Sequence, residues 1–221
     1  MLVLTDLEAR VLGCLIEKQL TTPEYYPLSL NALMLACNQK NNRDPVVSYD
    51  DKTVVRGLDG LREKKLIWMV HSAGSRVPKY EHRLPETLPL PADQVAALCL
   101  LLLRGPQTAG EIRGRSDRLH PFSTIPEVEI ALHQLSLRPE GALVVKLPLL
   151  PRTHEPRFAH LLCGEPVIPT VTVPVPAAEA ARAAVEAENA RLGKIETELA
   201  ALQAEMAEMK AQFAAFREQF Q

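Results

Sequence analysis

The stretch LIWMVHSAGSRVPKYEHRL, residues 66–84, decides the fold because its pattern is that of a β-hairpin. Two runs with aromatic and branched residues, LIWMV and PKYEHRL, flank the turn-forming run SAGSR. Gly74 stands in the middle of that run, where a turn accepts glycine readily. We therefore predict two antiparallel strands over this stretch and interpret the rest of the chain around them.

Three helices are predicted upstream of this hairpin. Thr5 and Glu8 have the spacing of a capping box, so the first helix begins there. Ser29 can cap a second helix, and carboxylates at Asp50 and Asp51 suit the start of a third. Between helices two and three, the β-branched pair Val46–Val47 predicts one short strand.

Three helices followed by a β-ribbon are typical of a winged helix, which we assign to residues 1–84. This fold most often binds DNA but quite often binds only other proteins. In the DNA-binding case the third helix enters a groove and the hairpin contacts phosphates. The candidate DNA contacts are Lys40, Asn41, Asn42, Arg43, Lys52, Thr53, Arg56, Arg76 and Lys79. A turn solvated by its own amides, and solvated charges on a hairpin, explain many of these residues equally well.

Two glycines interrupt the predicted third helix. Gly57 and Gly60 each cost about 1 kcal/mol relative to alanine, which suggests that another backbone approaches closely there. We place both glycines on the outward side with Lys52, Thr53, Arg56 and Glu63. The approaching partner can be DNA, a protein or the first helix.

A second copy of this unit is predicted over residues 92–163, after a proline-rich linker at residues 85–91. The matched features are Cys99 with Cys14, Thr108 and Ile112 with Ser29 and Leu33, Leu132 and Leu135 with Leu58 and Leu61, and PRFAH (156–160) with PKYEH (78–82). Four matches in the same order indicate a tandem duplication. In this copy Glu127 and Glu129 make the third helix unsuited to binding DNA, because carboxylates repel a phosphate backbone. Its most basic patch, Arg113, Arg115 and Arg118 on helix two, can face any acidic partner.

The C-terminal part predicts a coiled coil. A second proline-rich linker spans residues 164–177, and residues 178–221 follow with apolar residues at heptad spacing. The residues predicted to mediate oligomerisation are Leu192, Ile195, Leu199, Leu202, Met206, Met209, Phe213, Phe216 and Phe220. We expect a homodimer. A parallel pair is favoured, because it brings residues of opposite charge together on either side of the apolar seam formed by these residues. An antiparallel pair, or a helix that folds back on its own domains, stays open.

Composition limits the class of protein. The chain has 25 Lys and Arg residues against 27 Asp and Glu residues, a net charge of −2, which weighs against a dedicated nucleic-acid binder. Its four cysteines are scattered and form no CxxC pair, so a reducing cytoplasm fits best. The longest apolar run is too short to span a bilayer and no secretory leader is evident, so we expect a cytoplasmic protein without a membrane segment.

No motif suggests catalysis. The sequence contains no glycine-rich phosphate loop, HExxH or GxSxG motif. His82 and His160 occupy equivalent places in the two hairpins, yet no acidic or cysteine ligands accompany them at metal-binding spacing. We therefore predict a non-enzymatic protein with no metal and no cofactor.

One long segment carries a family resemblance. The residues TPEYYPLSLNALMLACNQKNNRDPV, 22–46, placed after LTDLEARVLGCLIEKQ, resemble the YceH-type family of bacterial proteins. The resemblance is specific over residues 4–84, looser through the second domain and weak in the tail. It implies a mainly α fold with small β-hairpins, built as two tandem winged-helix domains. The family has no established biochemical activity, so the resemblance supplies no site residues.

Two functions remain open at this point. The first is a dimeric DNA-binding protein, in the manner of a transcriptional regulator. The alternative is an adaptor whose winged helices bind protein, as in the tandem winged-helix subunits of bacterial chromosome-condensation complexes. The fold favours the first function, and the near-neutral charge favours the second.

Overall fold

A helix enclosed on nearly all sides lies at the centre of the fold. In the computed structural model this helix, α1, spans Asp6–Thr21, and the predicted capping box between Thr5 and Glu8 is formed. Ten consecutive residues, from Glu8 to Glu17, are buried. A helix at the surface would bury only one stripe, so α1 serves as the common packing partner of its neighbours.

The structure describes residues 2–71, 77–149, 153, 155–166, 188–189, 191–199, 201–203 and 206. The elements after α1 are β1 Leu28–Ser29, α2 Leu30–Cys37, α3 Asp51–Glu63, β2 Ile67–Val70, β3 Lys79–His82, α4 Leu84–Thr87, α5 Ala92–Arg104, α6 Ala109–Ser116, α7 Ile125–Ser136, β4 Val144–Lys146 and β5 Phe158–His160. A 3-10 turn at Pro23–Tyr25 precedes β1. The protein is mainly helical with small antiparallel sheets, as predicted.

The predicted hairpin within residues 66–84 is confirmed. β2 and β3 pair antiparallel, with Ile67 opposite His82 and Val70 opposite Lys79. β1 adds a third strand on the other side of β3, with Leu28 opposite Tyr80. The sheet order is therefore β1–β3–β2.

The strand predicted at Val46–Val47 is wrong. The backbone just before it is bonded elsewhere, since Asp44 N donates to Leu103 O at 3.0 Å and Arg10 Nη2 donates to Pro45 O at 2.6 Å. Val46 is 56% exposed. The loop is thus held against α1 and α5, and Leu28–Ser29 takes the third place in the sheet.

The same order of elements recurs in residues 92–160. Three helices, α5, α6 and α7, precede the hairpin β4–β5, in which Val144 lies opposite His160. Gln107, just before α6, forms a single bridge with Phe158, as β1 pairs with β3 ahead of α2. We call these two halves, residues 4–84 and 92–162, the first and second repeat.

The two repeats share one hydrophobic core. The predicted linker at residues 85–91 begins within the short helix α4, whose first residue, Leu84, is fully buried. α1 packs on α5, and a Cβ added at Gly13 would lie 2.9 Å from Leu103 Cδ2. Cys99 Sγ lies 3.4 Å from Gly13 O across the same contact. The linker therefore connects two halves that are in direct contact.

The chain divides into two units, residues 1–168 and 169–221. In the second unit residues 188–189, 191–199, 201–203 and 206 are helical. Five of the predicted oligomerisation residues, Leu192, Ile195, Leu199, Leu202 and Met206, fall on this helix and are 48 to 63% exposed. The other four, Met209, Phe213, Phe216 and Phe220, lie outside the described residues, as does most of the predicted linker at 164–177. Among the described helices, none combines the length and apolar character needed to cross a bilayer.

Candidate functional site

Helix α3 is fixed against α1 by its two glycines. A Cβ at Gly57 would lie 3.1 Å from Leu7 Cγ and from Val11 Cγ2, and one at Gly60 would overlap the Glu8 carboxylate. The close neighbour predicted from these glycines is therefore the first helix. The prediction that Gly57 faces outward is wrong, because Gly57 is buried in this contact.

The N-terminal half of α3 exposes two cations, Lys52 and Arg56, beside two carboxylates, Asp50 and Asp51. Asp50 caps the helix by accepting a hydrogen bond from Thr53 N at 2.8 Å. Lys52 and Arg56 are exposed one turn apart, and Arg56 Nη2 donates to Thr53 Oγ1 at 3.1 Å. In the C-terminal half, Arg62 is paired with Asp59 at 2.9 Å. The positive charge that remains unpaired on α3 thus lies near its start.

The hairpin exposes an aromatic side chain that is not among the predicted DNA contacts. Trp68 is 59% exposed, and the guanidinium of Arg83 lies 5.6 Å from its ring centroid. Successive side chains of a strand point to opposite faces, so the strand pattern of β2 could have identified Trp68 as an outward-facing residue. Of the predicted hairpin contacts, Lys79 is half-buried in β3, and Arg76 lies outside the described residues.

Arg43 is not available to bind DNA, so this candidate is corrected. Its side chain is fully buried and donates to both carboxylate oxygens of Glu17, at 3.0 and 2.6 Å. It also donates from Nε to Ala36 O at 3.1 Å. Burial alone would raise the pKa of Glu17, but the hydrogen bonds from Arg43 outweigh it and hold that pKa below its usual value. Arg43 is a structural residue that joins α1 to the loop after α2.

The loop after α2 keeps its other polar residues at the surface. Asn38 closes the loop, because its side chain makes two hydrogen bonds of 2.8 Å with the backbone of Tyr49. Lys40, Asn41 and Asn42 are exposed. Arg104 Nη1 of α5 donates to Asn42 Oδ1 at 2.6 Å, so the loop also contacts the second repeat.

A groove of about 610 Å³ lies between this loop and the second repeat. Its lining includes residues from α1, the loop, α6 and the turn after α6, namely Lys18, Lys40, Asn41, Asn42, Arg115 and Arg118. We call it the inter-repeat groove. It brings together the polar run after α2 and two cations of the predicted basic patch, Arg115 on α6 and Arg118 in the turn after it. More than 70 residues separate them in the chain, and no local pattern predicts their meeting.

The two histidines at equivalent places in the hairpins, His82 and His160, are held in largely buried positions. His82 is 6% exposed, and its Nδ1 accepts a hydrogen bond from Leu84 N at 3.3 Å. Burial lowers the pKa of His82 to about 4, and burial also lowers the pKa of His160. Within the part of the chain that the structure describes, no three His, Cys, Asp or Glu side chains are grouped to hold a metal ion.

Comparisons with known proteins place the chain in a family. Residues 4–153 match the family model described as "Protein of unknown function, DUF480". A "UPF0502 protein" of Opitutus terrae is 54% identical over 162 residues, which are 73% of this chain and 70% of that protein. One of Geotalea uraniireducens is 53% identical over 182 residues, 82% of each chain, and one of Vibrio vulnificus is 49% identical over 166 residues, 73% of this chain and 76% of that protein. The chain belongs to this bacterial family of DUF480, or UPF0502, proteins.

Proposed function

We propose that this protein is a non-enzymatic DNA-binding protein of two winged-helix repeats, which dimerises through its C-terminal helix. The observation that carries the proposal is the surface of α3, where Lys52 and Arg56 project from a helix that is anchored on α1. Because the backbone of an anchored helix is already ordered, binding DNA would cost only the conformational entropy of the contacting side chains. The first repeat is thus the DNA-binding part.

The winged-helix assignment is supported by the order and pairing of the elements. In the first repeat α3 is followed directly by the hairpin β2–β3, whose sheet β1 completes. A helix of this kind can enter the major groove with its N-terminal residues towards the bases while the hairpin lies along the backbone. The half of α3 that carries Lys52 and Arg56 is the half that such docking uses.

The roles differ among the candidate contacts. We propose that Lys52, Thr53 and Arg56 enter the major groove of the DNA and that the hairpin residues Lys79 and Arg76 contact phosphates. Arg43 does not belong to this set, because its side chain is buried in an ion pair with Glu17. The paired Arg62 lies on the same helix but outside the proposed contact, which makes it a matched control.

Dimerisation is proposed through the exposed apolar positions of the C-terminal helix. Leu192, Ile195, Leu199, Leu202 and Met206 alternate by three and four residues, which places them on one stripe. Each is about half exposed or more within one chain. A second copy would cover this stripe and give each assembly two copies of α3 for DNA binding.

The test is binding of a fluorescent random duplex at low salt, measured by anisotropy for the full chain and its variants. Lys52→Ala and Arg56→Ala should each weaken binding about tenfold, as expected for loss of a charged hydrogen bond. Arg62→Ala removes the same charge from the same helix and should change affinity less than about twofold. Absence of binding by the wild type, or equal losses in all three variants, would contradict the proposal.

The adaptor alternative is favoured by the surface of α7. Ile130 on α7 and Leu137, which caps its C-terminus, are 57% and 67% exposed, and Glu129 next to Ile130 is also exposed. An apolar surface with carboxylates suits a protein partner better than a phosphate backbone. This alternative predicts no binding of the random duplex, and a protein partner whose binding Ile130→Asp abolishes while Arg56→Ala does not.

A further inference from the structure

The inter-repeat groove has the composition of an anion site. Four cationic side chains line it, Lys18, Lys40, Arg115 and Arg118, against two carboxylates, Glu17 and Asp117. Glu17 is shared by two cations, since it pairs with the buried Arg43 at 2.6 Å and with Lys18 at 3.0 Å. The groove therefore carries an excess of positive charge.

Part of this charge is held in place before any ligand arrives. Arg115 Nη1 donates to Gln107 Oε1 at 2.6 Å, and Gln107, which is 1% exposed, donates from Nε2 to Leu100 O at 3.0 Å. A buried amide thus fixes the position of the guanidinium, and Glu111 is paired with its Nη2 at a longer distance, 3.5 Å. Such preorganisation reduces the entropy that binding costs.

Lys18 is paired with Glu17 and donates to Gln39 Oε1 at 3.3 Å, whereas two further cations of the groove have little or no internal compensation. Lys40 is exposed and makes no hydrogen bond or ion pair among the described residues. Arg118 is exposed, and its contact with Thr21 O is long, at 3.5 Å. Arg104, which bonds Asn42 at the edge of the groove, has its pKa lowered by burial and by the charge of Arg115. These groups would gain from a ligand that brings negative charge.

The shape favours a small ligand over a duplex. The volume of about 610 Å³ falls within the range of small-molecule sites, and Leu100, Leu103 and Leu119 supply an apolar part of the lining. A DNA duplex is a convex rod, so it would reach only the rim. A compact molecule with an organic body and several negative charges can use the leucines and the cations together.

We propose that the inter-repeat groove binds a small phosphorylated molecule with at least two phosphate charges, held by Lys18, Lys40, Arg115 and Arg118. Arginine guanidinium groups match the bidentate geometry of phosphate oxygens, and lysine adds a point charge. Because the walls come from both repeats, the bound molecule stabilises their contact. The site does not depend on the proposed DNA binding.

The experiment is isothermal titration of the full-length protein at low salt with inorganic triphosphate as the probe. We expect one site per chain. Lys40→Ala and Arg118→Ala should each weaken it about tenfold or more. Arg113→Ala is the matched control, because Arg113 is exposed on the same helix as Arg115 but does not line the groove. Its affinity should change less than about twofold.

Each other outcome overturns the proposal. Absence of binding at millimolar triphosphate excludes an oligophosphate site, and an equal loss in Arg113→Ala shows diffuse attraction to the surface. If Lys40→Ala and Arg118→Ala weaken duplex DNA binding while triphosphate does not bind, the groove belongs to a nucleic-acid interface.

Circular dichroism of the variants checks folding, and Lys40→Gln, which keeps most of the side-chain length, repeats the test should Lys40→Ala be unstable. Loss of DNA binding in Arg56→Ala leaves this result unaffected, so the two proposals fail separately.

Discussion

Arg43 and Glu17 form a buried ion pair, with both carboxylate oxygens accepting hydrogen bonds from the guanidinium at 2.6 and 3.0 Å. The pair joins α1 to the loop that follows α2. Removing the cation leaves Glu17 buried with Lys18 as its remaining partner, 3.0 Å away. The loss of a buried partner is strongly destabilising.

Arg43→Ala should therefore lower the free energy of unfolding by about 3 kcal/mol. Urea denaturation followed by circular dichroism measures it. The exposed Arg56→Ala is the control and should change stability by less than about 0.5 kcal/mol. Unchanged stability in Arg43→Ala, together with loss of duplex binding, would restore Arg43 as a DNA contact.

A second prediction concerns the contact between the repeats. Gly13→Val places branched atoms against Leu103, whose Cδ2 would already lie 2.9 Å from a Cβ at this position. We expect a loss of about 2 kcal/mol or more from overpacking, measured by urea denaturation. Gly114→Val is the matched control, since a Cβ there meets nothing within 4 Å and valine suits a helix slightly better than glycine. Similar stabilities for the two variants would contradict direct packing of α1 on α5.

His82 predicts a pH dependence of stability. Its pKa falls from 6.5 to about 4 on folding, because burial disfavours the charged form. The unfolded state therefore binds a proton first as the pH falls, and stability is lost between about pH 6.5 and pH 4. The loss amounts to about 3 kcal/mol, with 1.4 kcal/mol per pKa unit.

His82→Asn tests this prediction, because an amide oxygen can replace Nδ1 as the acceptor for Leu84 N. Urea denaturation at a series of pH values should show the decline in the wild type and a flatter curve for the variant. The lowered pKa values of Glu8 and Glu17 add a loss at still lower pH, below about 4.5. Identical wild-type and variant profiles between pH 6.5 and 4.5 would exclude His82 as the titrating group.

The C-terminal helix gives a prediction about assembly. Leu199→Asp places a charge in the proposed apolar seam, so the full chain should become monomeric in sedimentation equilibrium. Ala201→Asp adds the same charge two residues on, away from the seam, and should leave the dimer intact. A wild-type chain that is already monomeric at micromolar concentration would remove the dimer from the proposal.

Local signals predicted the elements well. Thr5, Ser29, Asp50 and Thr108 cap their helices as expected, since a cap depends on residues only three positions apart. The hairpin at 66–84 follows from its alternating strands and glycine turn. Membership of an uncharacterised bacterial family is confirmed, whereas the YceH-type name stays a prediction.

Long-range packing accounts for what the sequence did not reveal. Arg43 stands in an exposed polar run, and only the approach of Glu17 from α1 makes it a buried residue. Val46 has strand propensity, yet the loop before it bonds to Arg10 and Leu103. The inter-repeat groove likewise arises only when α1 packs on α5. Tertiary contacts therefore decided the site more than propensity did.

The salt dependence of duplex binding tests the central claim most directly. A random duplex offers no sequence to read, so Lys52, Arg56, Arg76 and Lys79 of two protomers would neutralise about eight phosphates, and log K against log salt should have a slope near −7. Arg56→Ala in both protomers should reduce the magnitude of that slope by about 2, and Arg62→Ala should leave it unchanged. No measurable duplex binding at low salt, or an affinity that does not vary with salt, would contradict DNA binding by the first repeat.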